Sequence, residues 1–388
     1  MNYKSSFTGL SVMALVALCL PACKVPYDPP VKNPNASYLV VEGYINGDGG
    51  VSTIKLSRTR NITWGDTAAY VNETNAVVAV QDDQNNVYPL NSGNDGMYDG
   101  SFTLSASIRY RLHIVTSDGK EYISLFVPFK QAPPIDKLDW SFKNRGVQVY
   151  LNSHDAQSKT RYYRWNYIAT YEYRSTHNSN LKYIPDDSTV VPRTEQVDTC
   201  WRTNNSGEIL LGSSAKLTQD VIDQQPIVYI PFQDVKLNVL YSIIVTQSAL
   251  DSSAYNYWQA IKSNTENVGS VFDRQPNQTR GNVYCVTDSA EIVLGYIGAG
   301  NSTQSRIFIS NSQMPSNWIQ APSDSCDPIE VPFDKKLMEK FFHFGGWIPY
   351  EKDTTLTGRV KGYFSSFGSC VDCTLKGGSN KKPVFWPY

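Results

Sequence analysis

Short runs that alternate apolar and polar side chains, cut by turn-forming residues, constrain this chain more than any other feature. From Tyr38 to Asn46, Leu39, Val41, Gly43 and Ile45 share one face while Val40, Glu42 and Tyr44 share the other. Gly47-Asp48-Gly49-Gly50 then turns the chain into a second alternating run, Ser52 to Thr59. Period two with that punctuation predicts a β-hairpin. Further runs follow at 76–81, 87–90, 101–104, 110–116 and 122–129, with a tight-turn signal at Ser117-Asp118-Gly119-Lys120. Short strands at this spacing predict an immunoglobulin-like β-sandwich over residues 37–131, with Pro133-Pro134 as its boundary.

Residues 135–388 predict a second β-rich domain with short helical insertions, so the fold class is mainly β. The run 161–174 is long and aromatic: Tyr163, Trp165 and Tyr167 share a face that Tyr171 and Tyr173 continue. Such a face serves either as core or as a platform for stacking sugars, and core is the commoner use. Residues 175–199 are polar and aperiodic, which predicts an exposed insertion loop. Helices are expected at 215–224, from Leu217, Val221 and Ile222, and near 335–342. The clearest helix spans 252–264, capped by Asp251 or Ser252, with Tyr255, Trp258 and Ile261 as the stripe that packs on a sheet.

The amino end obeys different rules. Lys4 is a short positive head, residues 10–20 read LSVMALVALCL, and small Ala22 precedes Cys23. That is the layout of a secretory signal, residues 1–22, with a cysteine at the cut where bacterial lipoproteins receive acyl chains. Cys23 is therefore the expected lipidation site and the link to membrane lipid. The apolar run is too short to span a bilayer, which takes roughly 20 residues as a helix. After Cys23, KVPYDPPVKNPNA carries four prolines and predicts a semi-rigid spacer, so that 23–36 is anchor plus spacer. Removing 22 residues from 388 leaves 366, enough for two or three domains.

Net charge of -1 with no basic run argues against nucleic acid as a partner. Among the cysteines, Cys19 lies in the signal and Cys23 takes lipid, leaving Cys200, Cys285, Cys326, Cys370 and Cys373 as disulfide candidates in an oxidising compartment. An odd number permits two bridges and one free thiol, and sequence alone does not choose the pairing. Cys370-Val371-Asp372-Cys373 has the spacing of a redox pair or half a zinc site, but no second CxxC or His pair completes a metal set, and structural bridging is the favoured reading. The four histidines are His113, His154, His177 and His343; only His154-Asp155 approaches a general-base pair, and neighbours in a turn seldom face one another. Asp82-Asp83 and Asp186-Asp187 are acid pairs better explained by turns, and Asn46-Gly47-Asp48-Gly49 lacks the spacing of an EF-hand. No GxSxG, HExxH, P-loop or GxGxxG signature occurs. No catalytic residue, metal ligand or cofactor is therefore assigned, the ligand-binding residues stay unknown, and binding or assembly is the expected class.

Several segments together resemble the Bacteroidota outer-membrane lipoproteins grouped as domain-of-unknown-function family 4249. They are CKVPYDPP after the signal, LVVEGYI at 39–45, IKLSRT at 54–59, YYRWNY at 162–167, Cys200-Trp201, the helix with its flanking segments from Gln247 to Cys285, and CVDCTLKGGSNKKPVFW at 370–386. The resemblance implies a non-catalytic accessory component of a TonB-dependent nutrient-uptake system, partnered by the transporter, acting by assembly or ligand capture. It supplies no catalytic residues. The alternatives are an independent glycan- or peptide-binding surface lipoprotein and, behind it, an unrecognised hydrolase. Periplasmic and surface-facing leaflets both stay open, as does the small ligand.

Overall fold

A computed structural model describes residues 37–60, 70–266, 279–318 and 326–388. The signal, Cys23 and the spacer lie outside these residues. The fold is mainly β, built from several sheets with few short helices.

The first sandwich sets a six-stranded sheet, with Leu39–Gly43, Asp48–Thr59 and Met97–Thr103 at its centre, against an eight-stranded one centred on Arg109–Val115. Alternation decides the buried face: Leu39, Val41, Ile54 and Leu56 from one sheet meet Val78, Val80, Leu112 and Ile114 from the other. Residues 37–131 do not complete this sandwich. Val283–Cys285 pairs with Glu121–Ser124, Val293–Leu294 runs parallel to Leu39–Gly43, and Ala299–Gly300 runs parallel to both Ile45–Asn46 and Val127–Lys130. The boundary at Pro133-Pro134 is thus corrected: the chain leaves the first sandwich there and returns after the main helix. Periodicity reports which face of a strand is buried, whereas parallel partners need a long crossover and carry no local signal. The return is threaded by two glycines. A Cβ on Gly281 would lie 1.5 Å from the Gly295 carbonyl oxygen, and one on Gly295 would lie 2.0 Å from that of Val41.

In the second region, Ile135–Lys143, Gly146–Asp155 and Asp220–Pro231 form a three-stranded sheet. It packs on a five-stranded sheet whose spine is Tyr162–Arg174 paired with Leu240–Leu250. Tyr163 and Trp165 are fully buried and stacked, with centroids 5.7 Å apart, so the aromatic face is core and not a sugar platform. Trp165 Nε1 donates to Gln247 Oε1 at 2.9 Å, and Gln247 Nε2 donates to the Pro133 carbonyl and to Ser153 Oγ. This buried network ties the inter-region linker into the core.

Two sequence expectations are overturned here. Residues 215–224 are not helical; a turn leads into the strand Asp220–Pro231, where Ile222 is buried and Val221 faces out. Adjacent β-branched residues favour that alternation over a helix. Nor is 175–199 a bare exposed loop. Leu181–Ile184 and Thr189–Pro192 form a hairpin whose Leu181 joins Val331, Met338, Phe342 and Tyr363 in a third core, against the sheet of Ile329–Pro332, Val360–Phe367 and Trp347–Thr354. Each arm is only four residues long, too short for period two to stand out from the polar residues around it.

The main helix runs Ser252–Glu266, with the Asp251 carboxylate accepting from the Ala254 N–H at 2.7 Å as its cap. Lys335–Met338 begins the second predicted helix, which continues in π form over Glu339–Phe344.

Candidate functional site

The five cysteines sort into Cys200–Cys373, Cys326–Cys370 and a buried free Cys285. The CxxC residues therefore bond to different partners and not to each other. His177 braces the second bridge: its Nε2–H donates to the Cys326 carbonyl at 2.7 Å and its ring stacks on Tyr350.

The remaining titratable groups flagged by sequence stay apart. His113 meets Glu121 at 2.7 Å across a strand pair, and His343 packs on Phe344. His154 pairs with Asp136 at 2.7 Å and not with Asp155, whose carboxylate instead accepts from the backbone N–H groups of Gln157, Lys159 and Thr160. Asp82 is a buried turn organiser, taking the Gln84 and Asn86 N–H groups, while Asp186 and Asp187 are exposed at the tip of the 181–192 hairpin. Asp48 accepts from the Gly50 N–H within its own turn. Among the described residues, no three His, Cys, Asp or Glu side chains gather where a metal ion would sit.

His154 is exposed, and its hydrogen bond to Asp136 raises its pKa above the usual 6.5. A raised folded-state value adds stability below the unfolded pKa, and that stability is lost as pH rises through the folded one. Chemical-shift titration should therefore place His154 above 6.5, and Asp136→Asn should return it toward that value; exposure keeps the effect on stability small.

What the fold does assemble lies beneath the main helix. Tyr163 and Trp165 point into the core, so Arg164 and Asn166 point out of the same strand, and register sets Ser248 directly opposite Arg164. The helix covers this outer face. Trp258 lays its ring 3.6 Å from the Arg164 guanidinium carbon, and Tyr255 packs on Tyr162 at 4.9 Å. Tyr44 and Tyr296 from the first sandwich complete the wall of a niche of about 50 Å³. Burial pulls the Arg164 pKa down to about 10, because a low-dielectric site disfavours the charged form.

Tyr296 also lines a second cleft of about 610 Å³ between the helix and the first sandwich, bordered by Arg109, Asp251, Asn256, Tyr257 and Asn282. That volume is within the usual range for small-molecule pockets. Asn282 is fixed there by reciprocal bonds, its Nδ2 donating to the Ile297 carbonyl and its Oδ1 accepting the Ile297 N–H, both at 2.8 Å. Sequence reasoning missed these residues. In YYRWNY, the outward position of Arg164 between two inward rings is the local signal of the niche.

Fold and clefts together define a multi-sheet β-protein with a donor-lined recess between a helix and a sandwich. Residues 24–306 match the family described as Domain of unknown function (DUF4249), and the chain belongs to that family. No curated protein matches the sequence.

Proposed function

We propose that this chain is a Bacteroidota outer-membrane lipoprotein, held by lipid on Cys23, that serves a TonB-dependent uptake system as a non-catalytic accessory through ligand capture and contact with the transporter. The observation that carries this is the sequence LSVMALVALCLPAC followed by a proline-rich spacer ahead of a family-matched β-body. Tethering confines the body to the membrane plane and raises its effective concentration beside a transporter, so a weak contact is occupied. The two clefts favour capture, since their walls offer hydrogen-bond donors and aromatic rings. For the transporter contact, the candidate surfaces are the 175–199 insertion, which carries the hairpin Leu181–Ile184 and Thr189–Pro192, and the edges of the β-sheets.

Mass spectrometry of the protein from native membranes should find an acylated Cys23 as the first residue, and a pull-down with lipid intact should recover a TonB-dependent transporter. An unmodified amino end overturns the anchor; an acylated protein that recovers no transporter overturns the partnership.

A further inference from the structure

We propose that the niche at Arg164 is a binding subsite for a monoanionic carboxylate, held by the Arg164 guanidinium with Asn166 and Ser248 as neighbouring donors. The inference rests on the ligand-capture part of the function proposed above and names the chemistry that part would recognise.

The niche holds a cation without a counter-ion among the described residues. Arg164 makes no ion pair to any described residue, and its Nε is buried without a hydrogen-bond partner. Elsewhere the same protein treats a half-buried arginine differently. Arg58 is bonded to Glu73, lies 3.5 Å from Glu291 and meets the Tyr122 hydroxyl at 3.3 Å. Withdrawing a charge from water is costly unless it is paired. The Trp258 ring offsets part of that cost through its quadrupole, but it supplies no acceptor for the guanidinium N–H groups.

Ser248 and Asn166 likewise make no side-chain hydrogen bond to a described residue, although both line the niche. Their positions are fixed by strand pairing, with Ser248 opposite Arg164 and Asn166 two residues along on the same face. Three donor-bearing side chains on a rigid sheet thus converge on a recess of about 50 Å³. That recess has room for on the order of four waters or one carboxylate head. A guanidinium fork matches a carboxylate in two parallel hydrogen bonds.

Charge balance selects a monoanion over a phosphate dianion. Among the described residues, Arg164 is the cation that lines the niche. Tyr296, which lines the niche, donates its hydroxyl to Asp251 at 3.4 Å, so negative charge already stands at the niche wall. A single negative charge neutralises Arg164; a second would add repulsion.

The test uses the full-length chain in detergent, with acetate as the minimal probe and acetamide as its neutral isostere, read by saturation-transfer NMR. Acetate should bind saturably and acetamide at least tenfold more weakly. Arg164→Gln should weaken acetate at least tenfold. Arg164→Lys should weaken it several-fold, because a point charge lacks the fork. Ser248→Val leaves the Arg164–Trp258 contact in place and should also cost several-fold, which keeps the test decisive if the arginine variants misfold. Equal binding of acetate and acetamide, no binding of acetate to the folded chain, or unchanged acetate binding in Ser248→Val would each overturn the assignment. These outcomes separate from the anchor and the partnership: an acylated, transporter-bound chain indifferent to acetate sinks the subsite alone, while an unacylated chain that binds acetate sinks the anchor alone.

Discussion

Replacing Cys200 and Cys373 together with serine lowers the unfolding free energy by about 4 kcal/mol, seen in urea titration as a clear fall in midpoint. This bridge closes a separation of 173 residues, against 44 for Cys326–Cys370. A cross-link restrains the unfolded chain more as its loop lengthens, and losses of about 2–5 kcal/mol are usual. The local packing adds to the effect. Cys200 sits in Thr199–Asn205, an edge of the five-stranded sheet, and Trp201 exchanges two backbone hydrogen bonds with Ser379 beside it. Tyr173 also donates to the Cys373 carbonyl at 2.8 Å. Without the bridge, the 370–388 segment is held to the sheet by noncovalent contacts alone. Thiol labelling offers a second check: in denaturant without reductant, Cys285 should be the one reactive thiol of the five from 200 to 373. A variant midpoint equal to that of the parent chain would remove this bridge from the account of stability.

The same bridge shows where sequence reasoning reaches and where it stops. Period-two alternation located the buried faces of Leu39–Gly43, Asp48–Thr59 and Arg109–Val115, because each face is a local property of a pleated strand. The Asp251 cap and the Tyr255, Trp258 and Ile261 stripe located the helix for the same reason. Pairing is not local. Nothing within residues 283–300 announces that they return to close the first sandwich, although Gly281 and Gly295 mark the close backbone approach that makes the return feasible. The niche belongs to this second kind. Arg164 looks like any outward residue of an alternating strand until the helix brings Trp258 over it and the first sandwich supplies Tyr44 and Tyr296. A site built from three separate segments has no signature in any one of them.

Deleting residues 383–388 should destabilise the chain by about 5 kcal/mol, an effect out of proportion to six terminal residues. The family match ends at residue 306 and does not reach the 370–386 segment expected to belong to it, yet the tail is built into the second region. Trp386 is buried against Trp201, Leu240 and Phe308, and removing it uncovers that cluster at about 2–3 kcal/mol. The larger issue is Glu172, which is wholly buried on Tyr162–Arg174. Its Oε2 accepts from Trp386 Nε1 at 3.1 Å and from the Tyr388 hydroxyl at 2.9 Å, while Oε1 faces Arg174. Truncation leaves that carboxylate with one partner, and a hydrogen bond to a charged group is worth about 1.5–3 kcal/mol. The two contributions can be separated. Trp386→Phe retains most of the packing and loses the N–H, so it should cost about 2 kcal/mol. If the carboxylate is the cause, Glu172→Leu should couple with the truncation, the double variant being about 2 kcal/mol more stable than the sum of the single losses predicts. Strict additivity in that cycle would mean that the tail acts by covering apolar surface and that Glu172 is satisfied without it.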